Sequence, residues 1–313
     1  MAALNFDIAV IGHFSNDHLK LPIRAEPYNI MGGAVAYVSL ITRRLGGSAA
    51  VISKVGYDFP DSYMQKLIDA GVDISGIVKK KGEQTTSFEL TYSQDLSSRT
   101  LRLRHQGSPI TVADLPSSLY AKVVHIGPIA GEISYDVIKR LRGCCEYMSI
   151  DPQGMTRHFG SDGVVANSVE MDKRLLRLTD VYKSSFDEVK TLTGISDLEG
   201  AVRAIHKCGP KIVIVTMGSE GSILSANKKI CSVPVYCSDK IIDPTGAGDV
   251  FIGAFMTEYI HNPEKPFWCA CVGSAAASLV IEGVGASFFG TKAEIYRRAK
   301  SITDTYNKSS EVS

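Results

Sequence analysis

The amino-acid sequence predicts an α/β fold of three layers: a doubly wound, mostly parallel sheet covered by helices, with a small β-sheet lid added to it. Three observations carry this prediction. Short β-branched runs alternate with longer amphipathic stretches, the pattern of parallel strands joined by helical crossovers. Two segments, 18–30 and 83–105, break the alternation with a period of two. Towards the C-terminus, IIDPTGAGDVFIGAF (241–255) sets two glycines and an aspartate at the mouth of an apolar helix.

In chain order, core strands are expected at 7–12 (DIAVIG), 49–55 (AAVISKV), 122–127 (KVVHIG), 146–151 (EYMSID), 180–185 (DVYKSS) and 211–216 (KIVIVT). Helices are expected at 33–45, 60–70, 132–142, 186–193 and 197–207. Ligands of such a fold gather at the carboxyl ends of the strands. The segments HLKLPIRAEPYNI (18–30) and EQTTSFELTYSQDLSSRTLRLRH (83–105) read as strands, the second a hairpin turning near Gln94–Ser98. Together they form either a lid that excludes water or an edge extension through which two copies pair. No repeat or long linker divides the chain, so one domain is expected over 1–313, with a disordered polar tail from about residue 305.

Composition bounds the function. With 313 residues, 44% of them hydrophobic and 21% charged, the chain can bury a substantial core. Its 34 basic and 33 acidic side chains give a net charge of +1, so no bulk field holds nucleic acid or an anionic membrane. Any anion must be gripped locally. The seven cysteines show no metal-binding spacing and the N-terminus lacks a signal-peptide pattern, so a reducing cytoplasm is expected. Cys144–Cys145 and Cys269 with Cys271 read as buried small hydrophobes. No uncharged apolar run reaches the roughly 18 residues a membrane span needs.

The chemistry concentrates at 241–255. Gly246 and Gly248 let successive backbone N–H groups point one way into an anion cradle, and the helix that follows adds its positive end. Asp249 sits beside that cradle, where the same dipole is expected to keep it ionised. It is then either the cap of its helix or a base that takes the proton of an attacking hydroxyl. No G-x-x-x-x-G-K-[ST] occurs and no G-x-G-x-x-G follows the first strand, which argues against a P-loop or a dinucleotide fold.

Asp243-Pro244-Thr245-Gly246-Ala247-Gly248-Asp249 resembles the second signature of the ribokinase (PfkB) family of small-molecule kinases, and further landmarks follow in the family's order over nearly the whole chain. The resemblance implies a ribokinase-like fold, Mg2+ with ATP, an anion hole at Gly246, Ala247 and Gly248, and Asp249 as catalytic base. It assigns substrate hydroxyls to Asp17 in GHFSND and a close backbone approach to Gly32 and Gly33. For the nucleotide it implies Lys183, Thr216, Gly218 and Gly221 of TMGSEGS, and Gly285 of GVGAS. Glu188 corresponds to the acid that organises magnesium water, and Asp243 to a position where a monovalent cation such as K+ binds.

The departures concern the acceptor. Tyr37 stands where many sugar kinases carry asparagine, and Ser185 replaces another asparagine, leaving Glu188 as either a magnesium organiser or a first-turn helix acid. The whole set is most similar to the myo-inositol kinase branch, which implies a cyclic polyol, with sugars or nucleosides as the alternative. Asp151, Gln153 and Arg157 of DPQGMTR either contact substrate or anchor their loop through an Asp–Arg pair. His13 and His18 read as surface histidines, and Arg102 and Arg104, alternating with Leu101 and Leu103, as a solvated strand face. By family analogy two copies pair through the lid. A member that binds ATP or a metabolite without turnover is the rival of another class.

Overall fold

The structure, a computed structural model, describes residues 4–310 with the exception of residue 170. The first described element is β1 (Leu4–Ile11), whose apolar, buried second half, Ile8 to Ile11, suits a strand covered on both faces. Strands β2 (Ser15–Lys20) and β3 (Tyr28–Gly32) leave the core before α1 (Ala34–Leu45), β4 (Ala49–Gly56), α2 (Asp61–Asp69) and β5 (Asp73–Lys80) return to it. A second excursion, β6 (Ser87–Tyr92) and β7 (Arg99–His105), precedes β8 (Leu119–Ile126), α3 (Tyr135–Arg142) and β9 (Cys145–Ile150). A short hairpin, β10 (Arg157–Phe159) and β11 (Val165–Asn167), leads to β12 (Val181–Ser185), α4 (Phe186–Thr193), α5 (Leu198–Cys208) and β13 (Ile212–Thr216). Strands β14 (Ser222–Ala226) and β15 (Lys229–Val233) then give way to α6 (Ala247–Tyr259), α7 (Pro266–Val280) and α8 (Lys292–Ser310).

Nine strands form the main sheet in the order β15-β14-β13-β12-β9-β8-β1-β4-β5. All pair in parallel except β14 and β15, whose hairpin turns at Asn227 and Lys228, both with positive φ (52° and 63°). That turn geometry matches the twist of the flanking strands. Alternation along β1 divides the core: Ile8 and Val10 face a cluster with α1, α6, α7 and α8, while Ala9 and Ile11 face one with α3, α4 and α5. Helices α6 and α7 are buried on nearly every side, which explains their continuous apolar sequence.

The strand order reverses beside β1, with β4 on one flank and β8 on the other, so the ends of β1 and β8 mark a topological switch point. Above it lies the separate small sheet, ordered β3-β2-β6-β7. Its inner face, Leu19, Ile30, Phe88 and Leu90, packs on Ile129 and Ala130 of the loop after β8.

Three expectations are corrected. Strands β5, β14 and β15 are additional to those read from the sequence, because β5 is an edge strand of half-buried residues and the hairpin lacks the helical crossover that marks its neighbours. The helix expected from residue 132 starts at Tyr135, since Glu132 instead binds backbone N–H groups of its own loop and of the loop after β1: Oε2 accepts from Ala130 at 2.8 Å and Oε1 from His13 at 2.8 Å. The tail expected to be disordered from about 305 is helical to Ser310; Ile295, Ala299 and Ile302 bury one face of α8, and the Tyr306 ring lies 4.4 Å from that of Phe267. The remainder of that tail lies outside the described residues.

Candidate active site

The site is assembled where β1, β8, β9 and β12 end, under the small sheet. Asp17 projects from β2 with only 6% of its surface exposed, and its Oδ1 accepts the Phe88 N–H at 3.2 Å. Burial pushes its carboxyl up to about 7, against the Ser15 and Phe88 hydrogen bonds and the Arg157 and Arg99 charges. A side chain on Gly32 would overlap the Asp17 carboxylate, so this wall of the pocket has to be bare main chain.

Gly33 caps α1, and one turn later Tyr37 carries its ring back to Gly246, at the start of α6. Gly246 holds a left-handed φ of 79° and faces the ring directly, so any Cβ there would be strained and would also collide. The Tyr37 hydroxyl is buried without a hydrogen-bond partner. Burial, then the Asp243, Asp17 and Asp249 charges, raise the phenol well above its ordinary range, so it remains a donor.

Ala247, Gly248 and Asp249 form the first turn of α6. Behind Gly248 lies the Lys183 ammonium, in the space a Cβ would occupy. Lys183 is almost fully buried and pairs with Asp151 at 2.6 Å; burial opposes its charge, but Asp151, Asp249 and Glu188 outweigh that and raise its pKa. Asp151 keeps its other oxygen, Oδ1, buried and unpartnered. Gln153 Nε2 donates to Asp249 Oδ1 at 3.1 Å, while Arg157 donates to Gln153 Oε1 and to the Ile129 carbonyl, each at 2.8 Å. Gln153 thus grips the acid itself, and the Asp–Arg anchor considered from the sequence is replaced by separate Asp151–Lys183 and Arg157–Gln153 pairs.

The Asp249 carboxyl holds its proton more tightly than an ordinary aspartate does. Burial and the Asp151 carboxylate raise its pKa to about 6, and together they outweigh the helix end and the Lys183, Arg157 and Arg99 charges. An acid so placed is a far better proton acceptor than an ordinary aspartate while still being ionised at neutral pH.

Asp243 staples two loops, Oδ1 accepting from Thr245 N at 2.9 Å and Oδ2 from Gly285 N at 2.7 Å. Glu188 closes a capping box on α4: its Oε2 accepts from Ser185 N (2.7 Å) and Oγ (2.8 Å), so it is a first-turn acid whose charge still reaches Lys183 and Arg157. At the end of β13, Thr216 Oγ1 donates to the Ser184 carbonyl at 3.3 Å, and Gly218 and Gly221 bound the short turn that follows.

His13 is no surface residue. It is fully buried and bonds Thr86 Oγ1 (2.8 Å) and the Ser108 carbonyl (3.1 Å), tying together the chain that enters β6 and the chain that leaves β7. Arg102 and Arg104 are exposed. Two residues passed over in the sequence also reach the site: Tyr92 Oη lies 3.1 Å from Thr245 Oγ1, and Arg99 donates to Tyr92 Oη at 3.3 Å. Parity was the available signal, because 88, 90 and 92, like 99, 101 and 103, share the inward face of their strands.

An anion cradle with a carboxylate at its rim suits the transfer of a phosphoryl group to an alcohol. The chain belongs to the pfkB family of carbohydrate kinases, whose model matches residues 6–293. It is therefore a kinase, a phosphotransferase with an alcohol acceptor. A cytidine kinase of Thermococcus kodakarensis is 27% identical over 256 residues, covering 81% of this chain and 88% of its own length. An inositol 3-kinase of Arabidopsis thaliana is 25% identical over 320 residues, covering 97% and 84%. The structure of a pyrophosphate-dependent kinase in the ribokinase family, complexed with a pyrophosphate analog and myo-inositol, matches with a TM-score of 0.76 at 26% identity, covering 94% of this chain and 100% of that one.

Proposed function

We propose that this kinase passes the γ-phosphoryl group of Mg-ATP to a hydroxyl of a cyclic polyol such as myo-inositol, in line and without a covalent enzyme intermediate. The observation that carries the proposal is the position of Asp249, half-buried on the first turn of α6 beside the Gly246–Gly248 backbone and bonded by Gln153. Asp249 takes the proton of the attacking hydroxyl, while Gly246, Ala247 and Gly248 present N–H groups to the phosphoryl oxygens and Lys183 supplies positive charge behind them. Asp17 holds neighbouring hydroxyls and Tyr37 offers its unpartnered donor. Two faces favour a six-membered ring: the Tyr37 aromatic surface replaces an amide, and the similarity to the inositol 3-kinase runs nearly the full chain. The similarity to the cytidine kinase supports a nucleoside or sugar as the second reading.

The donor set fits phosphate-bound magnesium better than a protein-caged ion. Among the described residues no group of three or more His, Cys, Asp or Glu side chains is arranged to hold a metal, whereas the Lys183 and Arg157 charges reach Asp249 at the start of α6, where an anion would sit. Magnesium bound with ATP would neutralise phosphate charge, and Glu188 would order its water.

The test is phosphorylated product formed from ATP or pyrophosphate with myo-inositol, other polyols, pentoses, hexoses and nucleosides as acceptors. Turnover of a cyclic polyol above all others is expected; preference for a nucleoside or furanose replaces the acceptor, and preference for pyrophosphate replaces the donor.

The pH profile follows from Asp249. The base acts only when unprotonated, so kcat/KM should be level above pH about 6 and fall about tenfold per unit below it. A profile flat down to pH 4 would remove Asp249 from proton transfer. For the small sheet we propose the role of lid. Replacing residues 93–98 and shortening β6 and β7 should raise the acceptor KM about tenfold or uncouple ATP hydrolysis from transfer; unchanged steady-state kinetics would make the sheet purely structural.

A further inference from the structure

The small sheet brings one charged group into the site that neither the family signatures nor the proposed roles account for. Arg99 begins β7 and shares its parity with the inward Leu101 and Leu103, not with the exposed Arg102 and Arg104. Its guanidinium donates to Tyr92 Oη at 3.3 Å, and Tyr92 Oη lies 3.1 Å from Thr245 Oγ1, one residue before the glycine that opens α6. The contact between lid and anion cradle is therefore made by the hydrogen-bond chain that also positions Arg99.

Arg99 is exposed, and among the described residues neither it nor Arg157 forms an ion pair with a carboxylate. The two cations lie within electrostatic reach of each other: after burial, the Arg99 charge is the next influence holding the Arg157 guanidinium below its ordinary range. Arg99 also acts on Asp17, Asp243 and Asp249. Among the described residues both guanidiniums hydrogen-bond only neutral oxygens, of Tyr92, Gln153 and Ile129, so each keeps donors and charge for an anion bound between them.

We propose that Arg99 is a further catalytic residue, a lid-borne cation that meets the transferring phosphoryl group from the side opposite the α6 backbone and facing Arg157. The inference rests on the reading of Gly246–Asp249 as the transfer centre. In the step, the bond from the γ-phosphorus to the ADP oxygen breaks with its electron pair leaving on ADP, and the acceptor oxygen bonds to phosphorus. The acceptor's proton passes to Asp249. Arg99 neither gives nor takes a proton; it offsets charge on the equatorial oxygens, and only when Tyr92 is docked on Thr245. The arrangement makes transfer conditional on lid closure and limits loss of the phosphoryl group to water.

The deciding experiment compares Arg99→Gln, Arg99→Ala and Asp249→Asn. For Arg99→Gln, kcat should fall about 100-fold or more with the acceptor KM within about threefold, and affinity for ADP–aluminium fluoride plus acceptor should fall by a similar factor while affinity for ADP alone holds. Added guanidinium should restore part of the turnover of Arg99→Ala. Turnover within about threefold of wild type, a change in KM alone, or equal weakening of ADP and ADP–aluminium fluoride each overturns the inference. Loss in Asp249→Asn with Arg99→Gln intact overturns it alone; both variants intact overturns the transfer centre as well.

Discussion

Replacing Asp249 with asparagine should lower kcat about 10³-fold while leaving ATP affinity within a few-fold of wild type. Asparagine keeps the shape and still accepts the Gln153 hydrogen bond seen at 3.1 Å, so the α6 turn should persist. What disappears is the capacity to take a proton. Removing the negative charge also relieves repulsion towards ATP, so affinity should hold or rise. Single-turnover measurement of transfer, with nucleotide binding followed by calorimetry, separates the two effects. A variant within tenfold of wild-type turnover would show that the acceptor loses its proton elsewhere.

The second large effect is expected from Lys183→Met. Methionine fills the volume but leaves Asp151 buried without its 2.6 Å partner, and breaking a buried pair from one side costs about 3–5 kcal/mol. Activity should fall further than stability explains, because Lys183 also opposes the rise in the Asp249 pKa and places its charge directly behind Gly248. The double variant Lys183→Met with Asp151→Asn separates the roles: denaturant melts should recover most of the lost stability, while turnover stays low. Recovery of both would make the ion pair purely architectural, and an unchanged melt for the single variant would mean that Asp151 is not held by this ammonium.

The core strands and the α6 signature were legible in the sequence because each depends on a local pattern: a β-branched run, a change of period, or glycines before an apolar helix. Residues whose role arises from packing were not. His13 looks like a loop histidine until Thr86 and Ser108, more than 70 positions away, are seen to enclose it. The dipole of α6 argues for a fully ionised Asp249, but nothing local reveals that Asp151 and burial oppose it more strongly. Gln153 stood beside the right residues, yet its bond to Asp249 spans 96 positions. Hairpin β14–β15 is hidden for the converse reason, since no helix separates its strands as one does in the parallel part of the sheet.

The bare main chain at Gly32 and Gly246 has a consequence for how this chain can change over time. Both positions press on side chains to which the proposed function gives the acceptor, Asp17 and Tyr37, and a methyl group at either would displace them. The floor of the acceptor pocket is thus closed to single-residue drift. Variation in substrate preference would be left to residues of the small sheet, whose hairpin turn at 93–98 is largely exposed. Reaction and selectivity can therefore diverge separately: descendants would keep the same phosphoryl-transfer machinery and acquire new acceptors by rewriting the roof.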